Sequence, residues 1–349
     1  MTQPAGEEVT NPRITYISWA ESCSRSDHTA RELGGSSHMV YVASLGSRAS
    51  TIVLKYVVQW FRTAQILRRE RPDTVFVMTP PVFAALPAFW YAWRHARRVV
   101  LDAHTAAFVL PRWRLFQWLQ RLMCRRAATT LVSNQHLARE IRDAGGHAIV
   151  VPDVPIIFPA GGDFARPTAF TVAVVCSFDR DEPLAAIFDA ARQLPDVHFF
   201  VTGNPRSLPA ELKAAISPNV TLTGFLSTAA YGRLLTCADA VLVLTTFNHT
   251  MLRGAYEAIY QATPVIVSDW PILREAFPEG ATYADNTADG IVAAIRTVQG
   301  NPGMFRAGAA RLRDAKLERW QATRTAILAR ITSAESKHPL EVQARGNLA

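Results

Sequence analysis

The chain lacks the features that define several large protein classes. It has four cysteines in 349 residues, Cys23, Cys124, Cys176 and Cys237. They are far apart and form no CxxC pair, which excludes a disulfide-stapled scaffold and gives no zinc-site spacing. All four read as ordinary thiols of a reducing compartment. Met1 to Thr10 is polar and acidic, with no basic start leading into an apolar run, so no secretory signal is expected and the protein is assigned to the cytoplasm. The uncharged run PVFAALPAFWYAW stops at thirteen residues, short of the roughly 20 needed to span a bilayer. Acidic residues are outnumbered, 29 against 37 basic, for a net charge of +8. That surplus implies an anionic partner: nucleic acid, lipid headgroup or nucleotide phosphate. No helix-turn-helix, zinc or RNP-like signature accompanies it, which ranks nucleic acid last.

Apolar residues are abundant at 49% with 19% charged, enough for a large core and no case for general disorder. At about 150 residues per domain the length predicts two domains. Apolar β-rich runs alternate with helical patterns throughout. RITYISW, SSHMVYVAS, DTVFVMTPP, RVVLDAH, ATTLVSN and HAIVVPDVP read as strands of a first domain. Between them lie helices over Thr51–Glu70, Arg114–Arg126 and Gln135–Ala144. FTVAVVCSF, VHFFVTGN, NVTLTGFL, AVLVLTT and TPVIVSD repeat the pattern, with helices over Pro183–Gln193, Ala229–Ala238 and Met251–Ala262. Continuous apolar strands joined through helices predict two doubly wound parallel sheets. The boundaries predicted are a disordered start 1–12, a first domain 13–157, a Gly/Pro-rich linker 158–167, a second domain 168–310, a helix 311–335 crossing back to the first domain, and a flexible tail 336–349.

Parallel sheets bind ligands at the carboxyl ends of their strands. Asp102 and His104 end a first-domain strand, where a carboxylate or imidazole can serve as general base or hold a sugar; a strand-end hydrogen-bond pair is the structural alternative. Ser24, Arg25 and Ser26 precede the first helix, where hydroxyls and a guanidinium can meet phosphate, with Asp27 a good helix cap. In the second domain, a helix starting near Thr250 points free N–H groups at the loop of Asn248, His249, Thr250 and Met251, a site for a diphosphate. Arg253 and Glu257 share one face of that helix. Arg180 follows a strand among Asp179, Asp181 and Glu182, which reads as a salt-bridged loop; Asn204 is placed for a base or a turn, and Phe225 for the edge of a base.

The segment VLVLTTFNHTMLRGAYEAIYQATPVIVSDWPILREAF, Val241 to Phe277, resembles the donor-binding half of GT-B glycosyltransferases, notably family 4. Glu257, Ala258, Pro264, Val265 and Ser268 match that pattern. The resemblance implies a GT-B fold, two Rossmann-like domains facing a cleft, and a nucleotide-sugar donor with no resident cofactor or metal. It assigns Glu257 to the ribose hydroxyls and Arg180 to the donor diphosphate. Where the family has a sugar-facing glutamate this chain has His249, a candidate catalytic residue, and Ala262 replaces the usual glycine. CSFDRDEP and DAH look instead like bacterial relatives of the inverting β-mannosyltransferase that extends a dolichol-linked chitobiose. The expected reaction is hexosyl transfer to a glycan or lipid-linked acceptor, its stereochemistry open; a GT-B UDP-sugar epimerase is the alternative. Trp and Tyr beside Arg in PVFAALPAFWYAWRHARR and WRLFQWLQRLMCRR suit contact with a membrane interface; a buried helix with a basic end is the other reading.

Overall fold

The computed structural model describes residues 12–45, 49–109, 111–159, 161, 168–214, 216–248 and 250–333. The expected disordered start and flexible tail, and most of the expected linker, lie outside them. The chain divides into two compact units, the first running to Val154 and resuming at Trp320, the second spanning Pro155–Arg319.

The first unit contains β1 (Ile14–Ser18), α1 (Ser24–Glu32), β2 (Ser36–Met39), α2 (Ala49–Glu70), β3 (Thr74–Thr79), α3 (Ala85–His95), β4 (Arg98–Ala103), the single turn α4 (Ala106–Val109), α5 (Gln117–Arg126), β5 (Thr129–Val132), α6 (Gln135–Asp143) and β6 (Ala148–Val150). Its strands are all parallel in the order β2-β1-β3-β4-β5-β6. Every residue of β1, β3 and β5 is buried, which is why these strands read as unbroken apolar runs rather than alternations. The strand order reverses between β1 and β3.

The second unit contains β7 (Phe170–Val174), α7 (Leu184–Gln193), β8 (Val197–Thr202), α8 (Ala210–Ala214), β9 (Val220–Gly224), α9 (Thr228–Cys237), β10 (Ala240–Val243), α10 (Arg253–Tyr260), β11 (Val265–Ser268), α11 (Pro271–Ala276), β12 (Ala281–Ala284) and α12 (Ala288–Gly300). These strands are also parallel, ordered β9-β8-β7-β10-β11-β12, with the reversal between β7 and β10. A last helix, α13 (Pro302–Thr332), contributes to both cores. Ala309 and Leu312 pack with Ile259 and Phe277 of the second unit. Trp320, Ile327 and Ile331 pack with Ile14, Tyr16 and Phe76 of the first.

Several elements depart from expectation for identifiable reasons. SSHMVYVAS pairs only over Ser36–Met39, since β2 is an edge strand and its residues are half-buried. The helix expected from Arg114 starts at Gln117, because Pro111–Phe116 winds as a 3-10 turn. PVFAALPAFWYAW winds as a 3-10 turn over Val82–Ala84 and continues as α3, which buries Ala85, Ala88 and Ala92 and leaves Trp90 and Trp93 about half exposed. Strand β12, ATYA, was too short to show a period.

Candidate active site

At the carboxyl edge of the first sheet, Asp102 occupies the next-to-last position of β4 and is completely buried. A buried carboxylate is costly unless it is paired and hydrogen-bonded. Here three side chains converge on it. The Tyr16 hydroxyl donates to Oδ2 at 2.5 Å, Arg25 Nε donates to Oδ2 at 3.0 Å, and His104 Nε2 lies 3.5 Å from the same oxygen. Burial alone would push the Asp102 carboxyl up, but the Arg25 charge, with His104 beside it, holds it well below the usual carboxylate range. Burial and the neighbouring Asp102 push the Tyr16 phenol up, so it stays a donor. Of the two strand-end candidates only His104, with about a third of its side chain exposed, can meet an incoming hydroxyl. Asp102 orients it.

This arrangement redirects the Ser24–Ser26 expectation. These residues are the first turn of α1 with Cys23 at the N-cap, so Asp27 sits inside the helix rather than capping it. Arg25 is committed to Asp102 and, through Nη2, to the Val151 carbonyl at 3.1 Å. Ser26 is fully buried, accepting from the Ser18 hydroxyl at 2.7 Å and donating to Cys23 Sγ at 3.1 Å. The polar groups of Arg25 and Ser26 face inward and hold the site together. Ser24 Oγ is buried with no hydrogen-bond partner among the described residues.

In the second unit, α10 starts at the sheet's reversal point. Its second residue, Gly254, is there because a Cβ would lie 2.6 Å from Val175 Cγ1, just past β7. The helix N-terminus is thereby pressed against the strand end. Leu252 at the N-cap supplies no side-chain hydrogen bond, which leaves the helix start open to an anion. The helix begins at Arg253, three residues later than Thr250, so Thr250 and Met251 lie in the preceding loop with exposed Asn248. His249 lies outside the described residues.

Arg253 and Glu257 form more than an ordinary surface pair. Glu257 is buried; its Oε1 accepts from Arg253 Nε at 2.7 Å and its Oε2 from the Tyr231 hydroxyl at 2.7 Å. Tyr231 in turn lines a pocket of about 360 Å³ with Cys176, Thr202, Asn204 and Phe225 at the ends of β7, β8 and β9. The structure therefore joins Asn204, Phe225, Arg253 and Glu257 into one neighbourhood of this unit. Phe225 is 84% exposed, an open ring face; Asn204 Oδ1 also accepts from Arg206 N at 3.1 Å, as in a turn. Arg180 is exposed and makes no ion pair among the described residues. Its acidic neighbours are used otherwise: Asp181 accepts from the Thr245 hydroxyl, and Glu182 accepts from the amides of Ser177 and Asp179 at 2.9 and 3.0 Å. Tyr16 and Tyr231, which complete the two clusters, carry no sequence signal, since each meets its carboxylate only through the fold.

Residues 23–155 match the family described as Glycosyl transferase 4-like domain, and residues 171–301 match Glycosyl transferases group 1. No curated protein sequence matches the chain. Among solved structures, Anabaena HepE in complex with UDP and glucose is similar at 14% identity and TM-score 0.61, covering 92% of this chain and 99% of that one. Sucrose-phosphate synthase from Thermosynechococcus elongatus is similar at 12% identity and TM-score 0.60, covering 90% and 97%. A UDP-N-acetylglucosamine 2-epimerase from Listeria monocytogenes, described as putative, is similar at 14% identity and TM-score 0.56, covering 86% and 91%. With one glycosyltransferase domain matched in each of its two parallel-sheet units, the chain belongs to the GT-B glycosyltransferases.

Proposed function

We propose that the protein transfers a hexosyl-type sugar from a nucleoside diphosphate sugar to a glycan or lipid-linked saccharide acceptor. The observation that carries this reading is the Tyr231–Glu257–Arg253 cluster, which ties a nucleotide-sized pocket to the open N-terminus of α10. Each Glu257 oxygen accepts one donor and keeps a lone pair for a ribose hydroxyl. The diphosphate lies at the helix start, with Arg180 and Arg253 beside it. HepE was solved with UDP, UDP-glucose and UDP plus glucose, which supports a donor of this class.

On the first unit His104 is the general base. Its Nε2 faces Asp102, leaving Nδ1 to take the acceptor hydroxyl's proton. The hydroxyl oxygen attacks the anomeric carbon, the bond to the diphosphate breaks, and the leaving electron pair is met by the helix N-terminus and the arginines. No metal enters this scheme, so full activity is expected after prolonged treatment with EDTA; a loss restored by Mg²⁺ or Mn²⁺ would overturn that part.

Among the described residues no helix is long and apolar enough to cross a membrane. Exposed Trp90, Trp93 and Trp118 beside exposed Arg94 and Arg121 support peripheral contact with an anionic membrane face, on the cytoplasmic side. Calorimetry with UDP and GDP tests the central reading: binding of one, lost in Glu257→Ala, is expected. Absence of affinity for any nucleoside diphosphate would overturn it. Release of UDP and an epimerised free sugar from donor alone would favour the epimerase.

A further inference from the structure

A groove of about 870 Å³ lies on the first unit, within the range of small-molecule sites, about 300–1,000 Å³. Its floor is a run of ring contacts: Trp19 to Tyr56 at 5.6 Å, Tyr56 to Phe83 at 5.5 Å, Phe83 to Phe116 at 4.8 Å, and Phe116 to Trp113 at 6.4 Å between centroids. Trp19 Nε1 donates to Thr63 Oγ1 at 2.9 Å and fixes one end. The side wall is α2, whose Val53, Val57 and Phe61 are 69%, 45% and 68% exposed. Apolar side chains grouped this way on a water-facing helix mark a binding surface rather than core.

Three observations select the occupant. Each wall follows the carboxyl end of a strand: Trp19 after β1, α2 after β2, Phe83 after β3, Trp113 and Phe116 after β4. That edge is where doubly wound sheets take substrates, which distinguishes the groove from a lateral docking patch. The wall is also tied to the base: Gln117 Nε2 donates to the Ala107 carbonyl at 2.6 Å, and Ala107 N donates to the His104 carbonyl at 2.8 Å. Finally, residues 49–126 carry 13 Lys and Arg against three acids, Glu70, Asp73 and Asp102. All three acids are engaged elsewhere, with Ser36, Arg97 and Arg25 respectively. Arg112 belongs to the groove itself, its guanidinium 5.8 Å from the Trp113 ring. An apolar trough lined by one cation, Arg112, and no carboxylate complements an anionic amphiphile.

We infer that this groove holds the hydrocarbon chain of a lipid-linked acceptor, with the lipid phosphate at Arg112 and the saccharide towards His104. The inference rests on the transferase reading but has its own observable. Farnesyl diphosphate serves as the probe, titrated calorimetrically into the full chain and into Val53→Glu/Val57→Glu, two exposed changes that leave the core intact. Binding to the unaltered protein, tighter than that of inorganic diphosphate and weakened about tenfold or more in the double variant, is expected, with UDP or GDP affinity unchanged. Farnesyl diphosphate binding no tighter than inorganic diphosphate, or insensitive to the variant, would overturn it. So would a variant that loses only sedimentation with phosphatidylglycerol/phosphatidylcholine vesicles, which would make the face a membrane contact. Farnesyl diphosphate binding without any nucleoside diphosphate binding would sink the transferase reading and leave the groove standing.

Discussion

At Asp102 two opposed effects are resolved by geometry. Complete burial disfavours the carboxylate, and Arg25, Tyr16 and His104 together reverse that. Removing one member of such a buried pair leaves the other uncompensated, so Asp102→Asn is expected to lose roughly 3 kcal/mol in urea unfolding. Because the folded pKa lies below the unfolded one, the Asp102 contribution is complete above the ordinary value of 3.8 and is lost as the pH falls below it. The stability gap between wild type and Asp102→Asn should therefore shrink on acidification through about pH 4 to 2; a gap that stays constant would show that ionisation of Asp102 is not its source. His104→Ala should lower turnover by about 10²–10⁴ with nucleoside diphosphate affinity retained, as measured by product formation and calorimetry. Tyr16→Phe should cost about 1–3 kcal/mol, since it strips a donor from a buried charge. The sequence marked Asp102 and His104 by their place at a strand end. It could not mark Tyr16, 86 positions away from its partner.

Among the elements, α10 shows how a short helix is placed by a single absent side chain. Gly254 admits Val175 at a distance no Cβ tolerates. Gly254→Ala should push the helix start off the end of β7 and weaken nucleoside diphosphate binding about tenfold. Trimming the other side of the contact, in Gly254→Ala/Val175→Ala, should restore much of it; a double variant no better than the single would place the defect elsewhere. The helix was legible from its apolar period and its matches at Glu257 and Pro264. Its start was not, because Thr250 and Met251 resemble a first turn while Leu252 provides the actual boundary. The α2 face was hidden for a related reason. Ile52, Val53, Tyr56, Val57 and Trp60 have the spacing of a core-facing helix, and only the fold reveals that they line an open groove instead.

For the molecule as a whole, α13 is the element that both units share. Its Trp320 is buried against the first unit, and Nε1 donates to Glu32 Oε2 at 2.8 Å. Trp320→Ala is expected to cost about 3–5 kcal/mol, in urea or thermal unfolding, through a cavity beside Tyr16 and Phe76. A loss below about 1 kcal/mol would show that the helix end contributes little to that core. The sequence by itself determined the number of domains, the parallel α/β character of both and the glycosyltransferase resemblance. Those properties follow from local period, strand burial and a contiguous motif, all of which are written along the chain. Only the tertiary structure decided that Arg25 and Ser26 face inward, that Tyr231 completes the Glu257 cluster, and that the aromatic residues of four separate segments form one groove. Those are contacts between residues tens of positions apart, and sequence order holds no record of which side chains the sheets bring together.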